Sequence, residues 1–316
     1  MRSYTIGEND CGQRLDRFLA KAVPLLPQSL LQKYLRLKRI KVNRRRSEGS
    51  YRLAPGDLVE LYINDEFFAQ DGQEDAFLSA RDGLEIVYED ENILLADKPA
   101  GLVVHVDNEG QVDTLINRIL KYLAGTGQYD PRRENSFTPA LCNRIDRNTC
   151  GLVLCAKNAP TLRVLNQKIR DREITKQYRC LVFGTPSPPH ATCKAFLRKD
   201  AAKNQVEVFD RPVPGGRTIV TEYRVLGSRG GLSLLEVTLH TGRTHQIRAH
   251  LAHLGHPLAG DTKYGQNRRN RDLPYRYQAL CAYRLTFDFP TPAEHLEYLR
   301  GRSFQVKELP FSLEEV

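Results

Sequence analysis

The chain has 316 residues, 41% of them hydrophobic and 27% charged, which leaves room for two domains and matches the balance of a globular protein. There is no run of about 18 apolar residues, so no membrane span is expected, and MRSYTIGEND lacks the apolar core of a secretory signal. The net charge of +9 fits a polyanion binder and a merely basic globular protein equally, so the position of the charge decides more than its total. Seven cysteines, an odd number without C-x-x-C spacing, argue against a disulfide framework or zinc ribbon and fit a cytoplasmic protein.

The spacing predicts a helix over 13–20, with Leu15, Phe18 and Leu19 on one face, and a second over 29–38, with Leu30, Leu31, Tyr34 and Leu35 inward. Residues 33–46 hold eight positive charges and no negative one, among them Lys38, Arg39, Lys41, Arg44, Arg45 and Arg46. A turn at Pro55-Gly56 feeds the strand DLVEL. RLDRFL, the basic helix end, IKVN and LAPGDLVEL together resemble the alpha-L RNA-binding module first described in a ribosomal small-subunit protein. That resemblance makes 1–64 a first domain and the six cations RNA contacts, because cations packed so densely repel one another unless phosphates or counterions intervene. Residues 65–83 turn acidic and read as a linker.

A second domain is expected over 84–316. A hairpin is predicted around Asp90-Glu91-Asn92, strands at 152–156, 178–183 and 235–239, and helices at 161–172 and from Ile247 through Leu251 to Leu254. Strands and helices without strict alternation imply an α+β fold built on a mixed, mainly antiparallel sheet.

Two blocks could carry chemistry. In Asn143-Arg-Ile-Asp-Arg-Asn-Thr-Cys-Gly151 a single carboxylate, Asp146, lies between Arg144 and Arg147, which favour its ionised form. Such a carboxylate can act as nucleophile or base, or be a structural aspartate paired with either arginine. The block from Leu239 to Pro257 holds Arg243, Arg248 and His240, His245, His250, His253 and His256. No H-E-x-x-H pattern or nearby cysteine supports a metal, so no metal is expected. An arginine beside a glycine turn at a helix start suits a phosphate or a carboxylate better. A third reading, Cys150 as a thiol nucleophile with one of these histidines, lacks an orienting Asn or Asp.

Together the blocks resemble the RluA-type pseudouridine synthases. NRIDRNTCG is similar to their H-R-L-D-x-x-T-S-G signature, and TGRTHQIRAHLAHLGHPLAGDTKYG to their second signature. LLADKPAGL is similar to N-K-P-x-G, and Lys176-Gln-Tyr178 to K-x-Y. The resemblance implies an RNA isomerase that uses no cofactor and acts on a flipped-out uridine. It makes Asp146 the catalytic carboxylate, Arg248 its ion-pair partner, and Tyr178 the ring that stacks on uracil. Arg144 would enter the helix as the base leaves. Arg147, Arg243 and Lys176 are further expected RNA contacts. The expected substrate is ribosomal RNA, with transfer RNA second, and the expected state a monomer. A catalytically inactive RNA-binding or ribosome assembly protein of the same fold is the alternative. The sequence departs from the signatures at Asn143 for His, Ile145 for Leu and Cys150 for Ser, and at Cys281, where His is frequent. The basic segment 266–276 is expected to be a surface loop.

Overall fold

The computed structural model describes residues 1–68, 76–106, 111–200, 205–265 and 267–314. It begins with β1 (Arg2–Thr5), α1 (Leu15–Ala22), α2 (Gln28–Arg36), β2 (Ile40–Val42), β3 (Arg45–Arg46) and β4 (Leu58–Leu61). These strands form an antiparallel sheet in the order β1-β4-β2-β3. Both helices form because their apolar residues recur at three and four: Leu15, Phe18 and Leu19 on α1, and Leu31, Tyr34 and Leu35 on α2, are all buried. They pack with Ile40, Val42, Val59 and Leu61 into one core. Of the acidic segment 65–83, residues 69–75 lie outside the described residues. On either side of them Phe68 and Phe77 are buried, so the described ends of that segment are anchored by packing.

The larger unit runs β5 (Glu85–Glu89), β6 (Ile93–Lys98), α3 (Leu115–Gly125), β7 (Ala140–Leu141), β8 (Cys150–Ala156), α4 (Ala159–Arg170) and β9 (Ile174–Phe183). It continues with β10 (His190–Asp200), β11 (Gln205–Phe209), β12 (Arg217–Arg229), β13 (Leu232–Leu239), α5 (Gln246–His253), α6 (Asn267–Asn270), β14 (Leu280–Phe287) and β15 (Ser303–Gln305). Its eleven strands form one mixed sheet in the order β11-β10-β12-β13-β9-β14-β8-β6-β5, with β7 on β8 and β15 on β14. Every named pair is antiparallel except β14 with β8. The fold is thus α+β, a small antiparallel sheet followed by a large, mainly antiparallel one.

Strand β8 is buried along its whole length, as its continuous apolar run requires. At Gly151 (φ 108°) a Cβ would lie 2.4 Å from the Ala282 carbonyl oxygen. The glycine that closes the NRIDRNTCG block is therefore what lets β8 and β14 meet. Helices α3 and α4 start on side-chain caps, Thr114 accepting from the Asn117 amide and Asn158 from the Thr161 amide.

Two local expectations need correction. Leu254 does not share the inward face of α5: it lies at the helix C-cap and is 38% exposed, since the chain leaves the helix there. Segment 266–276, of which residue 266 lies outside the described residues, is more than a loop. It contains α6, and Asn270 accepts from the Gly260 amide and donates to the Asp261 carbonyl.

The two units touch through a polar seam. Asp10, 2% exposed, accepts hydrogen bonds from Ser136 Oγ at 2.5 Å and Asn135 Nδ2 at 2.8 Å. Asn9 donates to Glu134 and accepts from the Ala159 amide at the start of α4.

Candidate active site

Asp146 lies in the segment joining β7 to β8, where the Thr149 amide donates back to the Asp146 carbonyl at 3.1 Å. Two braces fix this segment. Asn143 donates from Nδ2 to the Leu152 carbonyl (3.3 Å) and accepts at Oδ1 from the Leu154 amide (2.8 Å), pairing with β8 as a backbone would. The histidine-to-asparagine departure thus has a structural use. Lys98, 0% exposed, donates to the carbonyls of Arg147 (2.8 Å), Leu102 (2.7 Å) and Pro99 (2.9 Å). The Gly101 amide reaches the same Arg147 carbonyl at 2.9 Å. Burial pulls the Lys98 amine down to about 8.

Arg248 projects from α5 and is buried. Its Nη1 donates to Asp146 Oδ2 at 3.1 Å, while Nε and Nη2 donate to Asp261 Oδ2 and Oδ1 at 2.7 and 3.0 Å. Asp261 is wholly buried and also accepts from the Lys263 and Tyr264 amides. Burial alone would raise its carboxyl, but Arg248 and those amides outweigh it and hold the group below the usual carboxylate range. The guanidinium is therefore fixed on one edge, and its free Nη1 meets the partly exposed Asp146. It also lies over the Tyr264 ring, 5.3 Å from the centroid.

Tyr178 is a buried residue of β9, packed with Ile247, Leu251, Leu280, Ala282 and the half-buried Ile145. Burial raises its phenol above the ordinary value, and the charge of Asp146 adds to the effect. Lys176, two residues earlier on the same face of β9, is half-buried, and burial lowers its amine.

The structure therefore brings Asp146, Arg248 and Tyr178 to one place. It does not pair Asp146 with Arg144 or Arg147 as in the structural alternative, because both are exposed and Arg248 takes the carboxylate. Arg243 is exposed at the turn before α5, where Gln246 accepts from its amide and from Thr241 Oγ1. In the small unit Lys38, Arg39, Arg44, Arg45 and Arg46 are exposed, and Lys41 lies over the Tyr62 ring.

The histidines are engaged with protein groups. His245 meets the Tyr264 hydroxyl, His250 meets Thr221, His253 meets Asp210, His240 meets Glu222, and His256 donates to the Phe183 carbonyl. Among the described residues no group of three or more His, Cys, Asp or Glu could hold a metal ion. Cys150 is buried, donates to the Leu280 carbonyl and pairs in register with Cys281, while the five histidines weighed as its base are hydrogen-bonded to other groups. Sequence reasoning assigned no role to Lys98, Asp261, His245 or Tyr264. All four stand inside the quoted motifs, but nothing in a one-dimensional pattern says which motif residue braces which.

The RNA pseudouridylate synthase family matches residues 92–253. An uncharacterised RNA pseudouridine synthase of Mycoplasma genitalium is 36% identical over 289 residues, covering 90% of this chain and 88% of that protein. The ribosomal large subunit pseudouridine synthase D of Escherichia coli is 32% identical over 262 residues, covering 83% of this chain and 75% of that protein. Among solved structures, human RNA pseudouridylate synthase domain containing 4 shares the fold, with a TM-score of 0.55 at 22% identity over 73% of this chain and 90% of that one. Among the described residues no helix is long and apolar enough to cross a membrane. The chain belongs to the RluA-type family of RNA pseudouridine synthases, enzymes that isomerise uridine in RNA.

Proposed function

We propose that this enzyme modifies uridines of ribosomal RNA through Asp146, with residues 1–64 as an RNA-binding domain, 65–83 as a linker and 84–316 as the catalytic domain. The observation that carries the reading is the Arg248–Asp146 ion pair beside Tyr178. Isomerisation breaks the bond from ribose C1′ to uracil N1, forms one from C1′ to C5, and moves a hydrogen from C5 to N1. Nothing is oxidised or reduced. What the protein must supply is an ionised carboxylate at the reacting nucleotide, a support for the freed base, and exclusion of water. Asp146 is that carboxylate, and Arg248 holds it in an ion pair at a partly exposed place. Tyr178 offers a π-face to a base extruded from its helix. Arg144 enters the helix as the base leaves, Arg243 contacts phosphate, Lys176 and Arg147 are further RNA contacts, and the cations of α2–β3 extend the contact to RNA farther off.

Ribosomal RNA is favoured over transfer RNA by two features. The cation-rich small unit resembles a ribosomal module, and relatives at 31–33% identity are large-subunit ribosomal enzymes. The test is pseudouridine mapping across total RNA from cells with the gene, without it, and complemented with Asp146→Asn. Loss of one or a few ribosomal sites, restored by the wild type and not by the variant, is the expected result. An unchanged map, or full restoration by Asp146→Asn, would overturn the reading.

A further inference from the structure

His245 stands beside the catalytic pair in a conformation that needs explaining. It occupies the N-cap of α5 with φ 53° and ψ 18°, the left-handed region that residues other than Gly adopt uncommonly, with Asn, Asp and His the most frequent among them. That backbone, together with the adjoining Gln246 braces to the Val220 carbonyl and Thr221, aims the imidazole at the site. Its Nε2 lies 3.9 Å from Asp146 Oδ2, the same oxygen that Arg248 reaches. On the other side Nδ1 is 2.8 Å from the Tyr264 hydroxyl, which accepts from the Val206 amide at 3.0 Å.

These contacts assign the tautomer. The Tyr264 oxygen receives a proton from Val206, and among the described residues its own proton has one acceptor, His245 Nδ1. The imidazole proton is then on Nε2, facing Asp146. The charged groups around the ring are Asp146, Arg248, Lys263 and Asp261, and burial, the largest influence, keeps it neutral by lowering its pKa. A donor thus faces an acceptor across a gap too long for a direct hydrogen bond and wide enough for one bridging oxygen.

The bridging atom must accept from Nε2–H and donate to a carboxylate. Uracil offers separate carbonyl acceptors and an N–H donor, and no group that does both. Phosphate oxygens only accept and would be repelled by Asp146. Within an RNA chain the 3′ and 5′ oxygens are esterified, so the 2′-hydroxyl is the one substrate group with both capacities. It also sits on the carbon next to C1′, where the glycosidic bond breaks.

We propose that His245, oriented by Tyr264, binds the ribose 2′-hydroxyl of the target uridine and hands its proton in a hydrogen bond to Asp146, making this site selective for ribose. The inference rests on the functional reading above and adds a contact to it. The test is a double-mutant cycle on a ribosomal RNA fragment containing the mapped target, made with uridine or 2′-deoxyuridine at that position. Single-turnover rates are measured with wild type, His245→Gln, whose amide can place a donor near Nε2, and His245→Phe, which cannot. The wild type should lose at least about 10-fold on the deoxy target, and His245→Phe about 10-fold on the ribose target. His245→Phe should then lose less than about 3-fold more when the hydroxyl is also removed, and His245→Gln should recover most of the ribose rate. Equal deoxy penalties in wild type and His245→Phe, as a water in the gap would give, or a wild type indifferent to the hydroxyl, would overturn the contact. Failure of the functional reading looks different: the wild type would convert neither RNA.

Discussion

Asp261 holds Arg248 edge-on by two hydrogen bonds, at 2.7 and 3.0 Å, and leaves one guanidinium nitrogen for Asp146. The arrangement splits two tasks between two carboxylates. The wholly buried Asp261 fixes the arginine, and the partly exposed Asp146 meets the nucleotide. Removing the fixing partner should therefore damage chemistry without removing the ion pair's charge. Asp261→Asn keeps the shape and one acceptor oxygen, so kcat is expected to fall about 10- to 100-fold, or about 1.4–2.7 kcal/mol. RNA affinity should stay within about 3-fold, because neither residue is placed on the RNA backbone. Arg248→Ala should cost more, since it strips Asp146 of its cation. Single-turnover rates beside filter-binding affinities check both, and parallel losses of rate and affinity would contradict the split.

Tyr178 supplies a ring and a hydroxyl, and two variants separate them. Tyr178→Phe keeps the stacking face, so binding should change by less than about 3-fold while turnover falls by about 100-fold, the scale of a lost proton-handling group. Tyr178→Ala also removes the platform and should weaken binding of a target-containing RNA, since base stacking is worth about 1–3 kcal/mol. The buried ring packs with Leu280, Ile247 and Leu251. Melting curves for both variants must accompany the kinetics, and Tyr178→Phe should melt within a few degrees of the wild type.

What could be read from the sequence, and what could not, follows from the range of the forces involved. The helices carrying Leu15, Phe18 and Leu19 and Leu162, Leu165 and Ile169 announce themselves because burial imposes a local period. Strand β13 does so through Leu235 and Val237. By contrast β1, Arg-Ser-Tyr-Thr, is a strand only because β4 offers it a partner more than fifty residues away, and its own pattern is mostly exposed. Motif residues named Asp146, Arg248 and Tyr178 as candidates, but their meeting depends on the β7–β8 segment, α5 and β9 converging on one side of the sheet. The role of Lys98 was invisible for another reason. A buried ammonium satisfied by three carbonyls is defined by where backbone oxygens point, and side-chain identity does not encode that. Asp10 is similar, its partners Asn135 and Ser136 standing in the other unit.

His250 makes the fold sensitive to acid. It is 1% exposed, and its Nδ1 shares a 2.9 Å hydrogen bond with Thr221 Oγ1, which also accepts from Gln246 Nε2. Burial, helped by His253, lowers its pKa to about 4. In the unfolded chain the value is about 6.5. Between these values the unfolded chain binds a proton that the native protein refuses, so this stability is fully present above pH about 6.5 and is lost as pH falls toward 4. The loss is of order 3 kcal/mol. Urea unfolding at pH 7.5, 5.5 and 4.5 should show the decline, and His250→Gln, which cannot titrate, should flatten it while costing some stability at pH 7.5. A slope identical in the two proteins would remove His250 as its source.

Arg44, Arg45 and Arg46 are exposed around β3, an edge strand whose outer side no other strand of its sheet covers. Glu60 accepts from the Arg44 backbone amide, so its buried carboxylate holds the turn through the main chain. Like charges this close favour a structure in which an external anion sits between them. If each arginine displaces one counterion from RNA, the triple Gln variant should bind more weakly. Its log affinity should also depend less on log salt, by about 2 to 3 in slope, since each phosphate contact contributes about 0.7 in single strands and 0.9 in duplex DNA. Because the three residues stand in the small sheet, away from Asp146, the rate at saturating RNA should hardly move. A titration series from low to physiological salt separates the cases. A weaker complex with an unchanged slope would mean that the arginines support the fold of the small unit, and an unchanged affinity would mean that RNA passes elsewhere.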